Sequence, residues 1–150
     1  MFWIINLINL KKIFISSDHA GYKLKELIKN YLDKKKITYN DLGPNNANRV
    51  DYPDYAHKVA NKVKTDKNHV GILVCGSGMG MNIAANRHKN VRAAQCFNLK
   101  STKLSRLHND ANIITLGSRL ITKKNALSYV NVFLSTKFEG GRHLKRIKKI

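Results

Sequence analysis

The 150-residue chain is 43% hydrophobic and 25% charged, the balance of an ordinary globular protein, and is long enough for one domain with a real core. Its formal net charge is +19, from 28 Lys+Arg against 9 Asp+Glu, yet its 21 lysines and 7 arginines are scattered rather than gathered in a stripe. That argues against a specific nucleic-acid-binding module and leaves a surface that attracts anionic substrates.

Residues 1–10 (MFWIINLINL) are apolar but too short to span a bilayer, which needs about 20 residues, and they lack the basic start and small-residue cleavage site of a signal peptide. They are expected to be an extension outside the fold, with residues 11–150 forming a single domain. From residue 11 onward strand and helix signals alternate. A β-branched and aromatic run over 11–15 reads as a strand. A helix is expected over 22–34, with Leu24, Leu27, Ile28, Tyr31 and Leu32 on one face. A strand over 38–42 ends in the Gly43-Pro44-Asn45-Asn46 turn cluster. A helix over 53–64 carries proline in its first turn. The nearly all-apolar run at 70–74 is the pattern of a strand buried on both faces. After a glycine-rich turn at 76–80 come a helix over 81–88, a strand over 91–96, a weakly patterned helix over 98–107, a strand over 112–116, a helix over 122–135 and a basic C-terminal segment.

Five strands alternating with helices imply an α/β fold. The expectation is a three-layer, doubly wound, Rossmann-like sandwich around a five-stranded parallel sheet, closed by a C-terminal helix. Ligands in such folds bind beyond the carboxyl ends of the strands. Asp18 and His19 follow strand one and Cys75 follows strand three, so these residues are expected on one rim.

The chemistry concentrates in four motifs. In Cys75-Gly76-Ser77-Gly78-Met79-Gly80, three glycines let backbone N–H groups curl inward ahead of a helix. Such a nest binds a phosphate or a developing oxyanion and favours a thiolate at Cys75. A tight strand–helix turn around an inert buried cysteine has the same sequence. In Ser17-Asp18-His19-Ala20-Gly21, Asp18 either orients a hydroxyl or the His19 ring, or caps the following helix with His19 a bystander. His108-Asn109-Asp110 offers a histidine able to protonate a sugar ring oxygen, or a solvated loop histidine. Arg142 and Arg146, four apart, share a helix face and can fork a phosphate; a solvated basic tail is the alternative. Arg119 is a further cation in Gly117-Ser118-Arg119.

Taken in order, these motifs together with Asp51-Tyr52-Pro53, Asn82-Ile83-Ala84-Ala85-Asn86, Ser105-Arg106-Leu107-His108-Asn109-Asp110 and Phe138-Glu139-Gly140-Gly141-Arg142-His143 resemble the sugar-phosphate isomerase family that contains ribose-5-phosphate isomerase B and the galactose-6-phosphate isomerase subunits. The resemblance covers residue 11 to the C-terminus. It implies an aldose–ketose isomerase acting on ribose 5-phosphate in non-oxidative pentose phosphate metabolism, with no cofactor and no metal; the two cysteines, Cys75 and Cys96, with neither metal-ligand spacing nor a disulfide framework, suit a reducing cytoplasm. Cys75 then corresponds to the base moving a proton between C2 and C1, Ser77 to the hydroxyl serving O1 and O2, and Gly76, Ser77, Gly78, Met79 and Gly80 to the anion hole. His108 corresponds to the ring-opening acid/base. Asp18, His19 and Asn109 match sugar contacts, Arg119, Arg142 and Arg146 the phosphate clamp, and Tyr52 the pocket wall. It also implies a homodimer or homotetramer whose site is shared between subunits, with the His108 region of one chain facing Cys75 of another. A six-carbon sugar phosphate such as allose or galactose 6-phosphate is the alternative substrate. From other classes, a cysteine phosphocarrier carries its cysteine after the first strand rather than the third. A small cysteine phosphatase needs an arginine where Met81, Asn82 and Ile83 stand.

Overall fold

The computed structural model of the protein describes residues 11–150; the apolar extension expected at residues 1–10 lies outside them. The strands are β1 (Lys12–Ser17), β2 (Tyr39–Asp41), β3 (His69–Cys75), β4 (Ala93–Gln95) and β5 (Ile113–Gly117). The helices are α1 (Tyr22–Lys34), α2 (Tyr52–Val63), α3 (Met79–Ala85), α4 (Leu99–Asn109), α5 (Lys123–Ser135) and α6 (Arg142–Ile147). The strands form one sheet in the order β2-β1-β3-β5-β4, parallel throughout. The doubly wound parallel architecture read from the sequence is the one observed.

The period-2 alternation of the strands sorts the core into two layers. Ile13, Ile15, Val70, Ile72, Val74, Ile114 and Leu116 pack on one face with Leu24, Ile28 and Leu32 of α1 and Ala126, Val130, Phe133 and Leu134 of α5. Phe14, Leu73, Cys75 and Ile113 face the other way, onto Ala56, Val59, Ala60 and Val63 of α2 and Met81, Ala84 and Ala85 of α3. Cys75 is the last residue of β3 rather than the first after it, so its direction is set by this alternation. The strand fixes the thiol on the α2/α3 side.

Two further departures from the sequence pattern have identifiable causes. The helix expected to run to residue 88 stops at Ala85. Asn86 is recruited instead by the sheet edge: its Oδ1 accepts the Ala93 N–H at 2.8 Å and its Nδ2 donates to the Ala93 carbonyl at 2.9 Å. Lys25, in the first turn of α1, is fully buried. An ammonium in the interior is costly unless it is paired and hydrogen-bonded. Lys25 is both: its Nζ donates to Asp41 at 2.8 and 2.9 Å and to the Pro44 carbonyl at 2.7 Å. This network ties α1 to the loop after β2.

Behind Cys75, α2 is joined to the segment after α3 by a histidine pair, His57 Nδ1 lying 2.7 Å from His88 Nε2. Burial, followed by the charges of His57 and Lys64, holds His88 below the usual histidine range. The folded state therefore favours the neutral ring. Its contribution is fully present above the unfolded value, about 6.5, and is lost as pH falls through the lower folded value. The melting temperature is expected to drop on acidification from pH 7 to 5, and the drop should be smaller in His88→Gln. Thermal melts of both proteins across that range check this.

Candidate active site

Because all strands run one way, the segments leaving β1, β3 and β5 meet at the carboxyl rim of the sheet. A cavity of about 340 Å³ opens there, lined by Asp18, His19, Tyr52, Cys75, Ser77 and Arg119, with Gly76 and Gly80 in its wall. The volume lies within the usual range for small-ligand pockets, roughly 300–1,000 Å³. The structure thus brings together the Asp18-His19 motif, the cysteine turn, Tyr52 and Arg119.

Cys75 is 4% exposed. The Gly78 N–H donates to its Sγ at 3.1 Å, an arrangement that stabilises negative charge on sulfur. Gly78 has φ +78°, a conformation that side chains rarely adopt, and this lets its amide face back toward the thiol. The Met79 N–H donates to Ser77 Oγ at 3.3 Å, while the Met79 side chain is exposed. The helix begins at Met79. Gly80, expected in the turn, is therefore already in its first turn, packed beneath the Tyr52 ring.

Asp18 is buried, and one of its oxygens accepts the Gly21 N–H at 2.9 Å. It therefore braces the turn that leads into α1 and also lines the cavity. His19 Nδ1 lies 3.3 Å from the Val50 N–H and 3.2 Å from the Val50 carbonyl. The loop after β2 thus fixes the ring. The Arg119 guanidinium lies against the backbone at Gly76, where an added Cβ would come within 2.9 Å of Nη1. The Arg119 N–H donates to the Gly76 carbonyl at 3.0 Å.

His108, Asn109, Arg142 and Arg146 do not join this cavity. α4 leaves the carboxyl end of β4 and returns antiparallel to the strands, so its last turn, with His108 and Asn109, reaches the opposite rim where β5 begins. α6 sits at the same end, held through Glu139, whose N–H donates to the Leu107 carbonyl at 3.1 Å. Arg142 and Arg146 are exposed there.

A cluster at that rim was not anticipated. His108 stacks on the buried His143, ring centroids 4.2 Å apart and planes 14° from parallel. Glu139 Oε2 lies 3.8 Å from His108 Nε2 and 3.7 Å from His143 Nε2. His143 Nε2 is buried without a hydrogen-bond partner. Burial and the neighbouring His108 hold His143 below the usual histidine range, against the opposing pull of Glu139. Among the described residues this trio has its ligand-capable atoms within 4.8 Å of one another, whereas the sequence reading found no metal cluster. The near-parallel stack runs the in-plane ring lone pairs side by side rather than toward a common point. The only sequence signal for the trio is the Glu139/His143 spacing of four.

The cavity floor depends on close backbone packing. A Cβ on Gly117 would lie 2.5 Å from the Ser77 carbonyl oxygen. Gly117→Ala is therefore expected to destabilise the fold by about 1–3 kcal/mol, the range for overpacking, measurable as a lower urea midpoint at unchanged m-value.

Comparison with known proteins gives a consistent result. The family model described as Ribose/Galactose Isomerase matches residues 13–150. Ribose-5-phosphate isomerase B of Escherichia coli is 40% identical over 141 residues, 94% of this chain and 95% of that protein. The crystal structure of a ribose 5-phosphate isomerase from Thermotoga maritima superposes with a TM-score of 0.89 at 50% identity, covering 93% of this chain and 96% of the other. Ribose-5-phosphate isomerase B from Mycoplasma genitalium, solved with bound ribulose-5-phosphate, gives a TM-score of 0.88 at 45% identity, with 92% of each chain covered.

Proposed function

The chain belongs to the ribose/galactose isomerase family, and we propose that it interconverts ribose 5-phosphate and ribulose 5-phosphate through an enediolate, with Cys75 as the carbon base. The observation that carries this reading is the thiol at the end of β3, inside a cavity, with an amide N–H on its sulfur. The relatives named for ribose 5-phosphate, and the ribulose-5-phosphate held by the Mycoplasma genitalium protein, favour the pentose over a hexose phosphate.

The reaction needs a base beside a carbon acid, donors for the enediolate oxygens and a handle on the distant phosphate. The Cys75 thiolate takes the C2 proton of the open aldose. The electron pair moves into the C1–C2 bond and the carbonyl becomes an enediolate. The thiol then returns a proton to C1 and the ketose forms. Ser77 exchanges the proton between O1 and O2. The turn from Gly76 to Gly80, Met79 included, surrounds the developing negative charge. Asp18 and His19 hold sugar hydroxyls, Tyr52 forms the wall, and Arg119 supplies positive charge within the same cavity.

One chain does not hold the whole apparatus, since His108 and Asn109 and the Arg142/Arg146 pair lie on the other rim. We assign these to the site of a second copy, His108 opening the furanose ring, Asn109 binding the sugar, and the arginines clamping the phosphate. Met79, Ile83, Phe97, Leu99 and Leu120, exposed after the carboxyl ends of β3, β4 and β5, offer an apolar surface for such a pairing. Residues 11–150 act in this reading as one isomerase domain. No helix among the described residues is long and apolar enough to cross a membrane, and two unpaired cysteines suit a reducing cytoplasm.

Cys75→Ala is expected to lower kcat for ribose 5-phosphate by at least about 10², the scale of general-base catalysis; an unchanged rate would remove the thiol from the chemistry. The shared site has its own test. Cys75→Ala and His108→Ala should each be inactive alone and regain partial activity when unfolded together and refolded as a mixture. A mixture as inactive as its components would place His108 outside the site.

A further inference from the structure

Gln95, the last residue of β4, lines no part of the Cys75 cavity, yet it acts on the peptide that faces the thiol. Its Nε2 donates to the Ser77 carbonyl at 2.7 Å. The same peptide unit carries the Gly78 N–H that donates to Cys75 Sγ at 3.1 Å. Among the described residues the cis peptide is Gly43-Pro44, so the unit between Ser77 and Gly78 is trans. In a trans planar peptide the C=O and N–H point in opposite directions. Fixing the carbonyl on one side therefore aims the N–H on the other.

This lock matters because of the residue beyond it. Glycine is stable at positive and negative φ alike, so nothing intrinsic to Gly78 prevents the peptide plane from turning over. Turned over, it would present the Ser77 carbonyl oxygen to the sulfur, and a carbonyl lone pair repels a thiolate. A donor on the carbonyl also polarises the amide and strengthens its N–H as a donor. The roles of oxygen and nitrogen in the Gln95 amide follow from its partner, since the reverse assignment would set two acceptors against each other.

We propose that Gln95 is a positioning residue for the isomerase reaction, holding the Ser77–Gly78 peptide so that its N–H stays on the Cys75 thiolate. The proposal rests on the assignment of Cys75 as the base, but its effect on the thiol can be read without turnover.

The experiment follows Cys75 alkylation by iodoacetamide against pH, quantified by mass spectrometry of the peptide that contains it, alongside the pH–rate profile for ribose 5-phosphate. The parent is compared with Gln95→Met, which keeps the volume and removes the donor. Gln95→Glu is the second variant, keeping the shape while facing the carbonyl with an acceptor. In both, the alkylation midpoint should move up by about one pH unit, the scale of one weakened hydrogen bond to a charged group. The acid limb of the rate profile should move with it. The fall in kcat should be about tenfold, less than the loss of an oxyanion donor outright, with KM little changed. An alkylation midpoint that stays at the parent value in both folded variants would overturn the proposal, even if kcat fell, because packing alone would then explain the loss. Should Cys75→Ala retain full activity while the Gln95 variants still shift the midpoint, the base assignment fails and the control of the thiol by Gln95 stands.

Discussion

The direction of the strands is the constraint from which the rest follows. In an all-parallel sheet every helix must carry the chain back to the opposite rim before the next strand can start. Residues just after strands therefore gather at one rim and residues at helix C-termini gather at the other. Asp18, His19, Cys75 and Arg119 belong to the first set. His108 and Asn109, in the last turn of α4, belong to the second, and Arg142 and Arg146 of α6 join them because Glu139 holds that segment to Leu107. No loop adjustment can merge sets separated by the length of a strand. In the proposed pairing, the division of the site between two copies follows from this topology, and the ring-opening group comes from the neighbour.

Within the cavity, precision comes from backbone packed on backbone. The Ser77 carbonyl rests on Gly117, whose Cβ would intrude to 2.5 Å, and it accepts the Gln95 amide. The Ser118 and Arg119 N–H groups donate to the Cys75 and Gly76 carbonyls at 2.8 and 3.0 Å. The turn after β3 is consequently sewn to the turn after β5, which brings the Arg119 guanidinium against Gly76 in the same cavity as the thiol. A cysteine on a free loop would gain none of this preorganisation. Here the sulfur hangs from the last residue of a central strand, and its donor is aimed by a peptide held on both sides.

Much of this was legible in the sequence. Leu24, Ile28 and Leu32 recur at four-residue intervals, and α1 follows that pattern to the residue. The unbroken apolar run of β3 betrays a strand buried on both faces. The glycine-rich turn directly after it marks the rim where the cavity opens. What escaped depends on partners distant in the chain. Lys25 reads as a solvated lysine until Asp41 and Pro44 supply its acceptors. His88 continues a helical period that Asn86 ends by pairing with Ala93. Gln95 is one polar residue at a strand end, and its meaning appears only with Ser77 beside it. His143 shows the same limit, since its stacking on His108 requires α4 and α6 to meet.

The net charge of +19 bears on assembly as well as on substrate capture. Two such chains repel each other over a Debye length, about 8 Å at physiological ionic strength, so apolar burial has to outweigh that repulsion in the proposed pairing. The substrate phosphate works in the same direction. In that pairing a dianion enters between Arg119 of one copy and Arg142 and Arg146 of another, placing negative charge where positive charges would otherwise face one another. A ligand that binds only the paired form stabilises it by mass action. Phosphate binding and subunit pairing are then two faces of one electrostatic arrangement. In the proposed pairing, the arginines at the far rim gain their role where two copies share a substrate.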